Sequence, residues 1–165
     1  MSYSLSVSIV TYELDPFRLR KTLCSLVDAI EEADKRGLLE RYKPTEIAII
    51  DNGSNRRSIE NIARSIERSH KIKIRVLFND ENVGYGRAHN QFMLISDTDF
   101  HIILNPDVEI SPYSLTAALT HLSDNLQTIL IGPFGTTEKN NPANLAKRYP
   151  TLLDLMLRGL APNLV

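Results

Sequence analysis

The chain has 165 residues, a formal net charge of -1, and 24% charged and 42% hydrophobic residues, a balance typical of one soluble globular domain. This charge disfavours a nucleic-acid-binding domain, which is usually clearly basic, and no apolar run reaches the roughly 18 to 20 residues that span a bilayer. Because there is a single cysteine, Cys24, and no secretion signal at the N-terminus, we expect a cytoplasmic protein without an internal disulfide.

Five short apolar runs rich in β-branched residues predict five buried strands. Each run has the length of a strand and is followed by polar or turn-forming residues. The predicted strands lie at residues 5–12, 46–50, 72–78, 100–104 and 129–131.

Four helices are predicted between these strands, because apolar residues recur there at helical spacing. The first is expected to start at Pro16 with Asp15 as its cap and to end at Gly37. Strands that alternate with helices are typical of a mainly parallel sheet with helices on both faces, so we predict an α/β fold. The other three helices are expected at residues 59–66, 87–96 and from 111 onward.

Polar clusters follow four of the predicted strands. Open α/β sheets bind ligands at the edge where the carboxyl ends of parallel strands meet, so we expect the clusters to line one crevice. For each cluster alone a plain turn or helix cap is the simpler interpretation, but their joint occurrence at one edge favours a binding site. The clusters are Thr11-Tyr12-Glu13, Asp51-Asn52-Gly53, residues 79–86 and Asn105-Pro106-Asp107.

The residue types in these clusters suit a nucleoside diphosphate that carries a further group. Asp51 offers an acceptor for a ring N–H of a base, and Tyr12 offers an aromatic face and a hydroxyl. The segment Gly84-Tyr85-Gly86 lets the backbone approach a ligand at a helix start, where free N–H groups favour phosphate. Arg87 and His89 are candidates for positive charge or hydrogen-bond donors beside it.

Asp107 is the candidate metal ligand. Together with Asn105 or a water, its carboxylate suits a Mg²⁺ or Mn²⁺ ion that also binds the phosphates of the ligand. The plain alternative is that Asn105-Pro106-Asp107 is merely a turn that ends a strand. The sequence lacks a G-x-G-x-x-G turn after the first strand and a Walker A motif, which disfavours dinucleotide-binding and P-loop proteins.

Four ordered sequence blocks resemble the signature blocks of family 2 glycosyltransferases with the GT-A fold. The similarity is closest to the rhamnosyltransferase-like branch that uses dTDP-sugars, and it runs from about residue 6 to residue 150, where Arg148-Tyr149-Pro150 resembles a later segment of that branch. The resemblance implies a Rossmann-like nucleotide-diphospho-sugar transferase fold, truncated at the C-terminus. The blocks are Ser8-Ile9-Val10-Thr11-Tyr12, Ile49-Ile50-Asp51-Asn52-Gly53-Ser54, residues 82–90 and Leu104-Asn105-Pro106-Asp107.

The resemblance also implies roles for individual residues. Asp107 occupies the metal position of the family's D-x-D motif, with Mg²⁺ or Mn²⁺ as the cofactor. The nucleotide-sugar-binding residues that it implies are Thr11, Tyr12, Glu13, Asp51, Gly84, Gly86, Arg87, Asn90 and Asn105.

Two positions depart from the family pattern. Glu13 stands where the family commonly has Asn, and we expect it to alter the nucleotide contacts or to add a repulsive charge near phosphate. Asn105 replaces the first carboxylate of D-x-D, as is frequent in the rhamnosyltransferase-like branch. With one carboxylate fewer, the cation is expected to bind weakly in the absence of nucleotide.

The activity that the resemblance implies is inverting transfer of a sugar, with rhamnose as the candidate, in cell-surface polysaccharide synthesis. The donor would be a dTDP- or UDP-sugar, and the acceptor a saccharide or a lipid-linked saccharide. The catalytic base of the family comes from a later acidic segment, and nothing after Pro150 resembles that segment. Neither Glu138 nor Asp154 is assigned the role, so the catalytic residue stays unidentified.

We therefore predict a nucleotide-sugar-binding domain at residues 1–135. Residues 136–165 are predicted to form a polar loop and an apolar helix that begin a missing acceptor-side region. The apolar segment 146–160 is expected to pack on that missing protein, or alternatively on another subunit or the inner face of a membrane.

A second class of function stays open, namely a short non-catalytic protein that binds a nucleotide sugar or a partner. A nucleotidyltransferase that synthesises sugar nucleotides is disfavoured, because no Gly-rich loop with a basic residue follows the first strand.

Overall fold

The structure, a computed structural model, describes residues 2–13, 15–53, 56–66, 71–137 and 141–143. Contacts divide the chain into two compact units, Met1–Gln127 and Thr128–Val165. The predicted helix within 146–160, the segment Arg148-Tyr149-Pro150, and the late carboxylates Glu138 and Asp154 lie outside the described residues.

The first unit is built on a parallel sheet whose strand order is β3-β2-β1-β4. Register pairs Thr11 with Asp51 and Asp51 with Phe78, so the carboxyl ends of three neighbouring strands are level. These contacts confirm the predicted mainly parallel α/β sheet. The strands are β1 Leu5–Thr11, β2 Thr45–Asp51, β3 Ile72–Phe78 and β4 Phe100–Leu104.

The helices of the first unit begin and end near the predicted positions. At the start of the first helix, the Asp15 carboxylate accepts a hydrogen bond from the Phe17 N–H at 2.9 Å, and Gly37 follows its end with a φ of +70°. The third helix begins at Tyr85, before the predicted start at residue 87. Gly84 adopts a φ of +87° there and forms the helix cap. The helices are α1 Pro16–Lys35, α2 Arg56–Ile66, α3 Tyr85–Met93 and α4 Ser114–Asp124.

Side chains alternate between the two sheet faces, so the interior consists of two cores. The larger core joins β1 and β2 to α1, α2 and α4. The smaller core contains Val10, Ala48 and Ile50 of the sheet with Ala88 and Phe92 of α3. The α3 face also contains buried serines of β1, which form hydrogen bonds to histidines, as described below.

The predicted strand at 129–131 is wrong. Residues 128–134 form neither helix nor strand, and the side chains of Ile129 and Leu130 are exposed by 96% and 85%. An apolar run becomes a strand only where a neighbour pairs with its backbone. Within its described residues, the second unit pairs only the short antiparallel strands β5 Gly135–Thr136 and β6 Pro142–Ala143.

No helix within the described ranges combines the length and the apolar character needed to cross a membrane.

Candidate functional site

Thr11 and Asp51 lie side by side at the carboxyl ends of β1 and β2. The Thr11 hydroxyl donates a hydrogen bond to the Asp51 carboxylate at 3.1 Å, and both side chains are buried, with 0% and 1% exposure. The Asn52 N–H also donates to the Thr11 carbonyl at 2.8 Å. The Thr11 hydroxyl therefore orients the Asp51 carboxylate. The predicted contact of both residues with a nucleotide stays a prediction.

Tyr12 and Glu13 form the exposed part of the loop after β1. The Tyr12 side chain is half exposed, and its ring lies over the loop after β2, where a Cβ added to Gly53 would stand 3.9 Å from the ring. Glu13 is exposed and has a φ of +47°, in the left-handed region. Both side chains are thus accessible to a ligand at this edge.

A network of side-chain amides ties the ends of β2 and β3 to the start of α3. Asn79 donates to Asn52 at 2.8 Å, and Asn52, which is 2% exposed, donates to the Asn82 oxygen at 3.1 Å. The same Asn82 oxygen accepts from the Gly84 N–H at 3.0 Å. The backbone adds a bond from the Asn79 N–H to the Asp51 carbonyl at 2.8 Å. The loop before α3 is therefore fixed relative to Asp51.

The N-terminus of α3 has no capping side chain. Its first N–H groups consequently point out of the helix without a helical partner, which is the arrangement that binds phosphate oxygens. Gly86 has open space around it, because a Cβ built there meets no atom within 4 Å. Arg87 and Asn90 are exposed on the same helix. The predicted phosphate contacts of this segment are sterically possible.

His89 does not supply the positive charge that the sequence suggested. Its side chain is only 2% exposed, and burial together with the nearby His101 lowers its pKa from 6.5 to about 4. The imidazole is therefore uncharged at neutral pH, and Arg87 is the remaining candidate cation of the two.

Tyr85 connects the start of α3 to the loop after β4. Its hydroxyl donates to the Asn105 side-chain oxygen at 2.8 Å, and its ring meets the His89 ring edge-on at a centroid distance of 4.3 Å. Burial raises the pKa of the Tyr85 hydroxyl, so the hydroxyl remains a donor at neutral pH. The loops after β1, β2, β3 and β4 thus lie at one edge of the sheet. Hydrogen bonds link the ends of β1, β2 and β3, and one joins the start of α3 to the loop after β4.

Asp107 lies exposed on the loop after β4. Its carboxylate forms no ion pair or hydrogen bond with another described residue, whereas the nearby Glu109 is 3.3 Å from Lys21. The described part of the chain holds no cluster of three or more His, Cys, Asp or Glu side chains that could bind a metal. One free carboxylate fits a divalent cation only where phosphate oxygens or waters complete the coordination shell.

Polar side chains of α1 form hydrogen bonds to the backbone of the loop that carries Asp107. The sequence analysis did not predict these contacts. The buried Thr22 hydroxyl donates to the Pro106 carbonyl at 2.9 Å. The Ser25 hydroxyl accepts from the Ile110 N–H at 3.0 Å and donates to the Thr22 carbonyl. The only sequence signal was the presence of two hydroxyl residues within an otherwise apolar helix stripe.

Comparison with known proteins agrees with this arrangement. Residues 6–162 match the sequence profile of Glycosyl transferase family 2. No curated protein matches the chain.

Two of the solved structures that match this chain illustrate the shared fold. The mannosyltransferase PcManGT from Pyrobaculum calidifontis, solved in complex with GDP-Man and Mn2+, is 16% identical with a TM-score of 0.58, and the match covers 75% of this chain and 33% of that chain. TarS 1-349 from S. aureus is also 16% identical, with a TM-score of 0.51, and the match covers 73% of this chain and 32% of that chain. The matched part is thus about a third of each solved chain.

The parallel sheet and its helices confirm the predicted GT-A fold, since they match these two structures over about three quarters of this chain. The family profile covers most of the sequence as well. The chain therefore belongs to glycosyl transferase family 2.

Proposed function

We propose that this chain is the donor-binding part of an inverting glycosyltransferase. It would transfer a sugar from a nucleoside-diphosphate sugar to a saccharide or lipid-linked acceptor in the synthesis of a cell-surface polysaccharide. The resemblance in sequence favours rhamnose and a dTDP- or UDP-linked donor.

The observation that carries this proposal is the junction of the four loops at the carboxyl edge of the sheet. Backbone and side-chain hydrogen bonds connect β1 to β2, β2 to β3, and the start of α3 to the loop after β4. An edge of this kind is where open α/β sheets bind nucleotides. Membership of glycosyl transferase family 2 narrows the ligand to a sugar donor.

Each part of the donor has a suitable group at this edge. The half-exposed Tyr12 offers a face for a base or ribose, and Asp51 offers a carboxylate that Thr11 orients. The uncapped start of α3 and the exposed Arg87 would hold the diphosphate. Thr11, whose contact with the nucleoside the resemblance implies, would also orient Asp51.

Asp107 would hold a divalent cation, with Asn105 or water as a further oxygen ligand. The cation would neutralise charge on the leaving diphosphate. PcManGT was solved with Mn2+, and the free carboxylate of Asp107 suits the same ion when donor phosphates are present. Tyr85 fixes the side-chain oxygen of Asn105 beside this position.

A panel of UDP, dTDP and GDP, each with and without MnCl₂, tests the proposal by thermal shift. We expect one nucleotide to raise the melting temperature strongly only with Mn²⁺. A ligand that binds only the folded state adds about 2.7 kcal/mol of stability at a concentration of 100 times its Kd. If no nucleotide shifts the transition under either condition, donor binding is wrong.

The sugar is tested on the same chain with dTDP-rhamnose, UDP-glucose and GDP-mannose. A further shift with dTDP-rhamnose, beyond that given by dTDP, would support rhamnose, whereas a larger shift with another donor would reassign the sugar.

A further inference from the structure

A chain of five hydrogen-bonded side chains lies under α3, on the face of the sheet that the smaller core covers. His89 of α3 contacts the Ser8 hydroxyl through Nδ1 at 2.7 Å, and the same hydroxyl is 2.8 Å from Nε2 of His101. Nδ1 of His101 is 2.7 Å from the Ser6 hydroxyl, which is 2.7 Å from the Thr98 hydroxyl. This series of hydrogen-bonded side chains therefore runs without a break from Thr98 to His89.

The hydrogen bonds of this series of side chains have one consistent donor-to-acceptor direction. The Thr98 hydroxyl donates its single proton to the Phe100 carbonyl at 3.1 Å, so it must accept from Ser6. Ser6 must then accept from Nδ1 of His101, which leaves Nε2 of a neutral His101 as an acceptor.

The same reasoning fixes the tautomer of His89. Because the Ser8 hydroxyl donates to Nε2 of His101, it accepts from Nδ1 of His89. A neutral His89 then carries its proton on Nδ1 and a bare lone pair on Nε2. That nitrogen is buried and has no hydrogen-bond partner among the described residues.

An unsatisfied buried acceptor is uncommon in a folded protein. Helical side chains lean toward the helix N-terminus, which for α3 is the end that carries Gly84 and the uncapped N–H groups. The ring of Tyr85 meets His89 edge-on, half of the Tyr85 surface is exposed, and its hydroxyl reaches Asn105. Tyr85 therefore joins His89 to the loop after β4.

We propose that Nε2 of His89 accepts a hydrogen bond from a hydroxyl group of the bound nucleotide sugar and so helps to select the donor. This role rests on the donor binding proposed above. The hydroxyl belongs either to the ribose or to the transferred sugar, and both sources offer the same chemistry. Ser8, His101 and Ser6 are positioning residues, because they act through His89 by holding its tautomer.

The tautomer is measurable without any ligand. Two-bond ¹⁵N–¹H correlation spectra of the imidazole rings at pH 7.5, assigned with His89→Asn, report which ring nitrogen carries the proton. We expect a protonated Nδ1 and a bare Nε2 for His89 in the free protein. A protonated Nε2 would overturn the inference, whatever the protein binds.

The hydroxyl contact is tested by adding ligands in the presence of the diamagnetic Mg²⁺. The Nε2 resonance should move upfield when a hydroxyl donates to it. A shift with UDP, dTDP or GDP alone assigns the ribose or deoxyribose as the source, and a shift only with UDP-glucose, GDP-mannose or dTDP-rhamnose assigns the sugar. Binding that leaves Nε2 unchanged overturns the acceptor role alone, while absence of binding by every ligand overturns the proposed function and the acceptor role with it.

Two variants separate the contact of His89 with the ligand from its hydrogen bond to Ser8. The amide nitrogen of Asn occupies the place of Nδ1, so His89→Asn keeps the donor to Ser8 and removes the acceptor. We expect about tenfold weaker binding of the nucleotide sugar with little change in the unfolding midpoint. Ser8→Ala should instead remove the acceptor that keeps the proton on Nδ1 of His89, so we expect the spectra to show a protonated Nε2. Unchanged affinity in His89→Asn would contradict the proposal.

Discussion

Glu13 is the one non-glycine residue with a positive φ in the part of the chain that the structure describes, and its φ is +47°. For a residue with a Cβ this left-handed conformation costs roughly 1 to 2 kcal/mol, and Asn tolerates it better than Glu does. The Asn that the sequence resemblance implies at this position would therefore suit the backbone conformation better than Glu13 does.

We therefore predict that Glu13→Asn stabilises the protein by about 0.5 to 1 kcal/mol in urea denaturation, because it relieves part of the backbone strain. Glu13→Gln is the matched control, since it removes the same charge and leaves a side chain with no preference for the left-handed region. Equal gains in both variants would show that charge rather than backbone conformation is the cause.

At the scale of elements, α1 positions the loop that carries Asp107. The buried Thr22 hydroxyl and the Pro106 carbonyl are far apart in sequence but 2.9 Å apart in space. Thr22→Val keeps the volume and leaves the carbonyl without this donor, so we expect a loss of about 1 kcal/mol of stability and weaker Mn²⁺-dependent nucleotide binding.

Thr116→Val is the control for this prediction. The Thr116 hydroxyl is buried and has no hydrogen-bond partner among the described residues, so its removal should be neutral or slightly stabilising. A similar loss of stability in both variants would mean that Thr22 contributes by packing rather than by its bond to Pro106.

The buried histidines between α3 and the sheet predict a dependence of stability on pH. Burial lowers the pKa of His101, and burial together with His101 lowers the pKa of His89 to about 4. The unfolded chain takes up protons near pH 6.5 while the folded protein does not, so stability falls as the pH drops from about 6.5 toward 4.

Below about pH 6.5 the slope should approach 1.4 kcal/mol per pH unit for His89, and His101 should add to it in the same direction, as measured by urea denaturation between pH 7.5 and pH 5. His89→Asn should make the dependence shallower, whereas His121→Gln, at an exposed position of α4, should leave it unchanged. A flat profile in the unmodified protein would show that the two rings take up protons without disrupting the fold.

For the whole molecule, much of the first unit follows from local sequence pattern. The apolar runs of β1 to β4 and the cap at Asp15 are local signals, and the rule that parallel strands end at one edge predicts where Asp51 and Asp107 lie. The run at 129–131 shows the limit, because strand formation depends on a pairing partner that sequence does not specify.

The contacts that hold the site were less predictable. Thr22 with Pro106 and Ser8 with His101 are pairs that only the folded chain brings together. Serines at alternate, fully buried positions of β1 and a histidine within a strand were the available signals. Such polar residues in a buried strand need partners, and their identity depends on which elements pack above them.

Isothermal titration of the whole chain with the nucleotide that gives the largest thermal shift, in the presence of Mn²⁺, tests the central proposal most directly. We predict that Asp107→Asn weakens binding at least about tenfold and removes its dependence on Mn²⁺, whereas Glu109→Gln, which alters an exposed carboxylate of the same loop, leaves it within about twofold. Equal binding by Asp107→Asn and the unmodified protein would contradict the proposed role of this edge in holding a metal-bound sugar donor.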